Sequence, residues 1–208
     1  MIYTALIPVK ALNAAKSRLA SYLSQQQRET LVLDMLHHVV QVLLASRLFE
    51  RVLVVSPDTR VLEQARRWDA QALKEEQHGH NSALHAAAVR EQAAGAAAIL
   101  TISADLPLLC ISDIQAMVEQ SRRHAVVLAP SQDGTGTNAI LMRPPLALPY
   151  LFGLNSRQHY QQAASQKKLS SAIYRSIGVA LDIDTIDDLH QLREASSIRR
   201  FIDDCCIV

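Results

Sequence analysis

Short runs of β-branched and aliphatic residues alternate along this chain with longer stretches in which apolar positions recur every three or four residues. The runs read YTALIPV, RVLVVS, AAILTIS, AVVLAP and NAILM, with a weaker one at AQALK. Such alternation predicts an α/β fold, a mostly parallel sheet with crossover helices on both faces. The helix after the first strand has the clearest signature. Ser24 and Gln27 form a capping-box pair, and Leu31, Met35, Val39 and Leu43 share a face with Leu36, Val40 and Leu44. Ser112 with Gln115 predicts a further helix start, as does Thr185, whose following Asp187 and Asp188 read as first-turn acids on a helix dipole.

The rhythm breaks over residues 144–178, where RPPLALPYLFGLNSRQHY holds three prolines and a glycine before a polar helix at RQHYQQAASQKK. Irregular segments that follow a regular sheet often carry specificity, so this stretch is expected to cover a substrate. No repeat, low-complexity tract or linker divides the remainder. Residues 1–208 are therefore expected to form one domain with an insertion around 144–178.

Composition removes several classes of partner. The 21 basic and 20 acidic side chains nearly cancel, which offers no polyanion-binding surface, and Trp68 with few other aromatics makes no stacking platform for nucleic acid. No apolar run approaches bilayer length, and MIYTALIPVK lacks a basic n-region or cleavage site, so no membrane partner and a cytoplasmic location are expected. Cys110, Cys205 and Cys206 lack disulfide or zinc spacing and read as reduced thiols. The exposed face of the long helical pattern LVLDMLHHVVQVLL is a candidate homodimer surface, with His37 and His38 reading as packing or surface residues.

In an open parallel sheet, ligands bind where the strands' carboxyl ends meet their loops. The polar groups placed there are Lys10, Lys16 and Arg18 after the first strand, Ser56 and Asp58 after the second, Asp105 after LTIS, and DGTGTN after AVVLAP. The basic loop VKALNAAKSRL contains no glycine, which excludes the Walker phosphate loop and the dinucleotide fingerprint. A phosphate here would be held by cationic side chains; the alternative is a solvated basic loop. Asp105 either caps the turn at its proline or binds a metal, since a carboxylate is costly to bury unpaired. LDIDT ends a second apolar run, and two carboxylates facing one crevice could hold Mg²⁺ between nucleoside triphosphate oxygens. DGTGTN suits an anion-binding turn or a β-hairpin loop, and FGLNS places Gly153 and Ser156 at a helix opening, where anions bind. His78, His80 and His85 lack the further ligands a zinc site needs.

IPVKALNAAKSRLA, LVLDML, VVSPD, GHNSAL, SADLPLL, LAPSQDGTGTNAI, FGLNSRQHY and LDIDTIDDL, in this order, resemble the 2-phospholactate guanylyltransferase family, which is related to the molybdenum-cofactor guanylyltransferases. The resemblance spans nearly the whole chain. It implies a three-layer α/β/α Rossmann-like nucleotidyltransferase fold with a mostly parallel, mixed sheet. It also implies transfer of GMP from GTP onto the phosphate of a three-carbon acid: 2-phospho-L-lactate, phosphoenolpyruvate or 3-phosphoglycerate. Pyrophosphate would leave and the product would enter coenzyme F420 biosynthesis.

Carried over by position, Lys10, Lys16, Arg18 and Asp105 would be catalytic. Pro8, Lys10, Lys16, Ser56, Asp58, Asn81, Ala83 and Asp105 would meet the nucleotide, and Thr137, Asn138, Gly153 and Ser156 the acid. Mg²⁺ would be held by Asp105 with Asp182 or Asp184. His80 departs from the pattern, standing where the family has an apolar residue between Gly79 and Asn81. Two other readings compete: a nucleotidyltransferase for a pterin or sugar phosphate, which would carry a glycine-rich loop after the first strand, and a nucleotide sensor without turnover, which would lack the acidic strand ends.

Overall fold

A computed structural model of the protein describes residues 2–75 and 79–194. Cys205, Cys206 and His78 lie outside them. Seven strands form one sheet: β1 (Tyr3–Pro8), β2 (Arg51–Ser56), β3 (Gln71–Lys74), β4 (Ala98–Ile102), β5 (Val126–Pro130), β6 (Thr137–Met142) and β7 (Ser171–Ile173), in the order β3-β2-β1-β4-β6-β5-β7. The six apolar runs read from sequence are β1 to β6. β7 is short and SAI carries no alternating pattern that would announce it.

Helices α1 (Gln25–Ser46), α2 (Thr59–Arg67) and α4 (Ile111–Gln120) cover one face. Helices α3 (His80–Ala93) and α5 (Ser156–Gln166) cover the other. The inner strands are therefore apolar at consecutive positions, because both faces are enclosed. Val52 and Val54 point into the first layer, Leu53 and Val55 into the second. Two short 3₁₀ turns, Leu12–Ala14 and Ser17–Leu19, lie between β1 and α1. A four-residue helix, α6 (Ile177–Ala180), follows β7, and the chain is helical again over 186–194. No helix among the described residues is long and apolar enough to cross a membrane.

The capping box at α1 forms as expected, with Ser24 Oγ accepting from Gln27 N and Gln27 Oε1 accepting from Ser24 N. At α4 the expected cap is wrong. The cap is Cys110, two residues earlier than Ser112, and the buried Asp113 carboxylate accepts from Cys110 N at 2.9 Å. Asp113 also accepts from Tyr174 and Ser176, so a carboxylate in a helix's first turn does double duty as a tie to the segment after β7. Gly178 sits against it so closely that a Cβ there would lie 2.2 Å from Asp113 Oδ2 and 2.8 Å from the Leu108 carbonyl. Thr185 does open the last helix, trading hydrogen bonds with Asp188.

The apolar face of α1 is turned into the chain. Val32, Met35, Leu36, Val39, Val40 and Leu43 are buried within the chain, and the exposed positions are Asp34, His37, Gln41 and Ala45. His37 stacks on Trp68, and His38 bonds the Leu109 carbonyl.

β6 is the strand that reverses direction. It runs antiparallel between β4 and β5, closing a hairpin with β5. Its first residues thus lie at the edge where the parallel strands end, beside Ser103, whose N–H donates to the Asn138 carbonyl at 2.8 Å.

Candidate active site

β1 is the point where the chain order of the sheet reverses, with β2 on one side and β4 on the other. Crevices open at the carboxyl ends of such a pair. Here a cavity of about 590 Å³ is lined by Pro8, Lys10, Lys16 and Arg18 from the first loop, Asp105 after β4, and Asp184 from the C-terminal segment. His80, Phe152 and Gly153 line it from the other side.

Lys16 is the hub. Its backbone is left-handed, φ 49° and ψ 45°, a conformation that costs a non-glycine residue roughly 1–2 kcal/mol. Its ammonium donates to Asp105 Oδ2 and, at 2.9 Å, to Asp184 Oδ1. The Lys16 side chain is 8% exposed, against 25% for Asp105 and 46% for Asp184, so the cation is the enclosed partner and the two acids open to the cavity. Burial works against the Lys16 charge, but the attraction and hydrogen bonds of both carboxylates outweigh it and raise its pKa. Burial likewise pushes Asp184 upward, and Lys16, helped by Arg18 and Lys10, pulls it below the usual carboxylate range. Arg18 reaches Asp184 Oδ2 at 3.9 Å and is otherwise exposed.

Asp182 does not join this pair. Its carboxylate accepts from Asn138 Nδ2 at 3.0 Å, and burial raises its pKa, with the charges of Asp105 and Asp184 adding to the effect. The LDIDT segment belongs to no strand. Among the described residues no three His, Cys, Asp or Glu side chains gather as metal ligands. Two carboxylates that converge on one cation nevertheless fit Mg²⁺, which commonly takes one or two carboxylates and completes its shell with phosphate oxygens and water. The fit is to Asp105 and Asp184.

Several residues expected at the nucleotide have other occupations. Ser56 is fully buried, and its hydroxyl accepts from Asp58 N. Asp58 caps α2 through Arg60 N and accepts from Leu12 N at 3.0 Å, tying the first loop down. Ala83 is buried. Asn81 exchanges two hydrogen bonds, both 3.0 Å, with the backbone of Phe152, 71 residues away, and so fixes the cavity wall without lining it. Lys10, Lys16, Arg18, Pro8 and Asp105 do meet in the cavity.

On the acid side, Gly153 lines the cavity, while Ser156 is buried and donates to Thr137 Oγ1 at 3.1 Å. Asn138 faces away, toward the 179–182 segment. DGTG lies in the hairpin loop between β5 and β6, the second of the two readings, and Thr137 and Asn138 open β6. Asp133 accepts from Ser131 Oγ, Thr135 N and Thr135 Oγ1, so an internal carboxylate occupies this turn's donors and is held far below its usual pKa by those bonds. His80 opens α3 and meets Phe152 edge-on at 5.5 Å. Phe152, Thr101 and Ser103 were not singled out by sequence as cavity residues; the FG pair was the only hint of the first.

A family model described as guanylyl transferase, CofC-like, matches residues 3–195. The chain is 40% identical to phosphoenolpyruvate guanylyltransferase of Rubrobacter xylanophilus, over 94% of this chain and 95% of that one. It is 30% identical to 2-phospho-L-lactate guanylyltransferase of Methanobrevibacter smithii, over 95% and 88%. Among solved structures, a Desulfovibrio desulfuricans protein described as a nucleotide-diphospho-sugar transferase superposes with a TM-score of 0.79 at 17% identity, covering 92% of this chain and 87% of that one. The last likeness speaks to the three-layer α/β fold alone.

Proposed function

We infer that this chain, which belongs to the CofC-like guanylyl transferase family, moves GMP from GTP onto the phosphate of a three-carbon acid, releasing pyrophosphate. The observation that carries the reading is the convergence of Lys10, Lys16, Arg18, Asp105 and Asp184 on one cavity bounded by Gly153. A chain built this way is a nucleotidyltransferase. Its reaction is a step in coenzyme F420 biosynthesis.

The chemistry asks for position and charge. A phosphate oxygen of the acid attacks the α-phosphorus; the new P–O bond forms as the bond to the β-phosphate oxygen breaks, and that electron pair leaves with pyrophosphate. The attacking oxygen is ionised at neutral pH, so no general base is required. Lys10, Lys16 and Arg18 face the region where negative charge gathers and neutralise it. Mg²⁺ held by Asp105 and Asp184 supplies further neutralisation of phosphate charge when bound. Gly153, with Thr137 and Ser156 behind it, supports placing the acid at the start of α5, beside Phe152, with the 144–178 stretch covering it there. The acceptor best supported is phosphoenolpyruvate, from the higher identity to relatives of that name.

Pyrophosphate release with GTP, ATP or CTP, each with Mg²⁺ and with phosphoenolpyruvate, 2-phospho-L-lactate or 3-phosphoglycerate, tests the reading. GTP with phosphoenolpyruvate is expected to be fastest. Faster turnover with ATP or CTP would remove the guanylyl assignment, and faster turnover with another acid would reassign the acceptor alone.

A further inference from the structure

We propose that Asn138 is a positioning residue that clasps the segment carrying Asp184 to the strand end carrying Asp105, and so sets how the two carboxylates face each other. The proposal rests on the reading of that pair as cation ligands.

Asn138 is the second residue of β6 and is 5% exposed. Its carbonyl accepts from Ser103 N at 2.8 Å, two residues before Asp105. Its side-chain Nδ2 donates to Val179 O at 3.1 Å, Ala180 O at 3.0 Å and Asp182 Oδ1 at 3.0 Å. Two N–H bonds serve three acceptors, all on one segment, which leaves the amide nitrogen nothing to offer a substrate. That segment needs holding. Residues 181–184 belong to no strand, and the backbone bond from Ile183 N to Asp105 O is long, 3.3 Å. Its upstream end is tied by Ser176, which donates to Asp113 at 2.6 Å and accepts from Val179 N. One residue thus bridges the two loops on which the acidic pair stands, its backbone carbonyl holding the Ser103 end and its side chain the 179–182 segment, and the antiparallel course of β6 is what brings it there.

GTP binding measured twice on each protein without any acid, once in EDTA and once in excess Mn²⁺, gives the metal's contribution as a ratio of Kd values. Asp105→Asn should erase that ratio. Asn138→Ala should cut it about tenfold, leaving the Kd in EDTA and the KM for the acid changed by no more than about twofold. Thermal melting of each variant shows whether it is folded, and Asn138→Leu, near in size and without donors, makes the same measurement if Ala does not fold. A raised acid KM with the metal ratio intact would return Asn138 to the acid site and overturn the proposal. A ratio lost in Asp105→Asn but kept in Asn138→Ala overturns the positioning role alone. A wild-type ratio near one, or a full ratio in Asp105→Asn, overturns the cation reading and this inference with it.

Discussion

Asp105→Asn is expected to melt within a few degrees of the parent protein and to turn over at least ~100-fold more slowly, about 3 kcal/mol of transition-state stabilisation. Asparagine keeps the shape of the side chain and an oxygen to accept from Lys16, so the loop retains its geometry. It loses the charge that a cation and the Lys16 ammonium both use. Asp184→Asn should act in the same direction, and the double variant should be much less than multiplicatively worse, since both carboxylates act on one cation. If Asp105 served only to end the strand, the pattern would invert: a lowered melting temperature with near-normal turnover. Melting and turnover on one sample separate the two, and a folded variant at wild-type rate ends the metal-ligand assignment.

Lys16→Met is expected to cost as much in rate and something in stability besides. Methionine keeps most of the stem and removes the charge that faces both carboxylates, so turnover should fall by roughly 100- to 1,000-fold, in the range seen when one preorganised charge partner is removed. The two acids, left facing each other while partly exposed, should destabilise the fold by about 1–2 kcal/mol, below the cost of breaking a fully buried pair. The sign of the pH dependence is set by the direction of each shift. Lys16 is raised, so its contribution is whole below the unfolded lysine value near 10.4 and is lost as pH rises through the folded one. Asp184 is lowered, so its contribution is whole above about 3.9 and is lost as pH falls through the folded value. The melting gap between parent and variant should therefore be flat at neutral pH and close in acid. A gap that persists undiminished below the Asp184 titration would mean that the pair does not stabilise the fold.

What the chain discloses about itself is local. The first six strands and the α1 cap were legible because their signals are runs and spacings within a few residues. The convergence of Lys10, Lys16, Arg18 and Asp105 was legible too, because strand ends in a parallel sheet share an edge. Illegible were the residues whose polar groups are spent on distant partners. No local pattern announces that the Asn81 amide pairs with Phe152, or that the Asp58 carboxylate holds Leu12. Asp182 and Asp184 stand two apart with the same side chain, yet one faces Asn138 and the other the cavity. Polarity and position could not divide them, because the difference lies in β6, more than forty residues upstream. Ser112 failed as a cap for a related reason: Asp113, a better acceptor, is drawn inward by Tyr174 and Ser176.

The Lys16 hub also fixes when the site can exist. Its two partners lie 89 and 168 residues further along the chain, so closing it requires loops spanning most of the sequence. Contacts of that separation carry a large loop-closure cost and form late in folding. A chain emerging from synthesis can complete β1 to β4 well before it has any Asp184 to present. The charged centre is thus expected to be complete only once the C-terminal segment has docked. In refolding experiments, recovery of GTP binding should lag recovery of helical circular dichroism; simultaneous recovery would show that the C-terminal segment docks early.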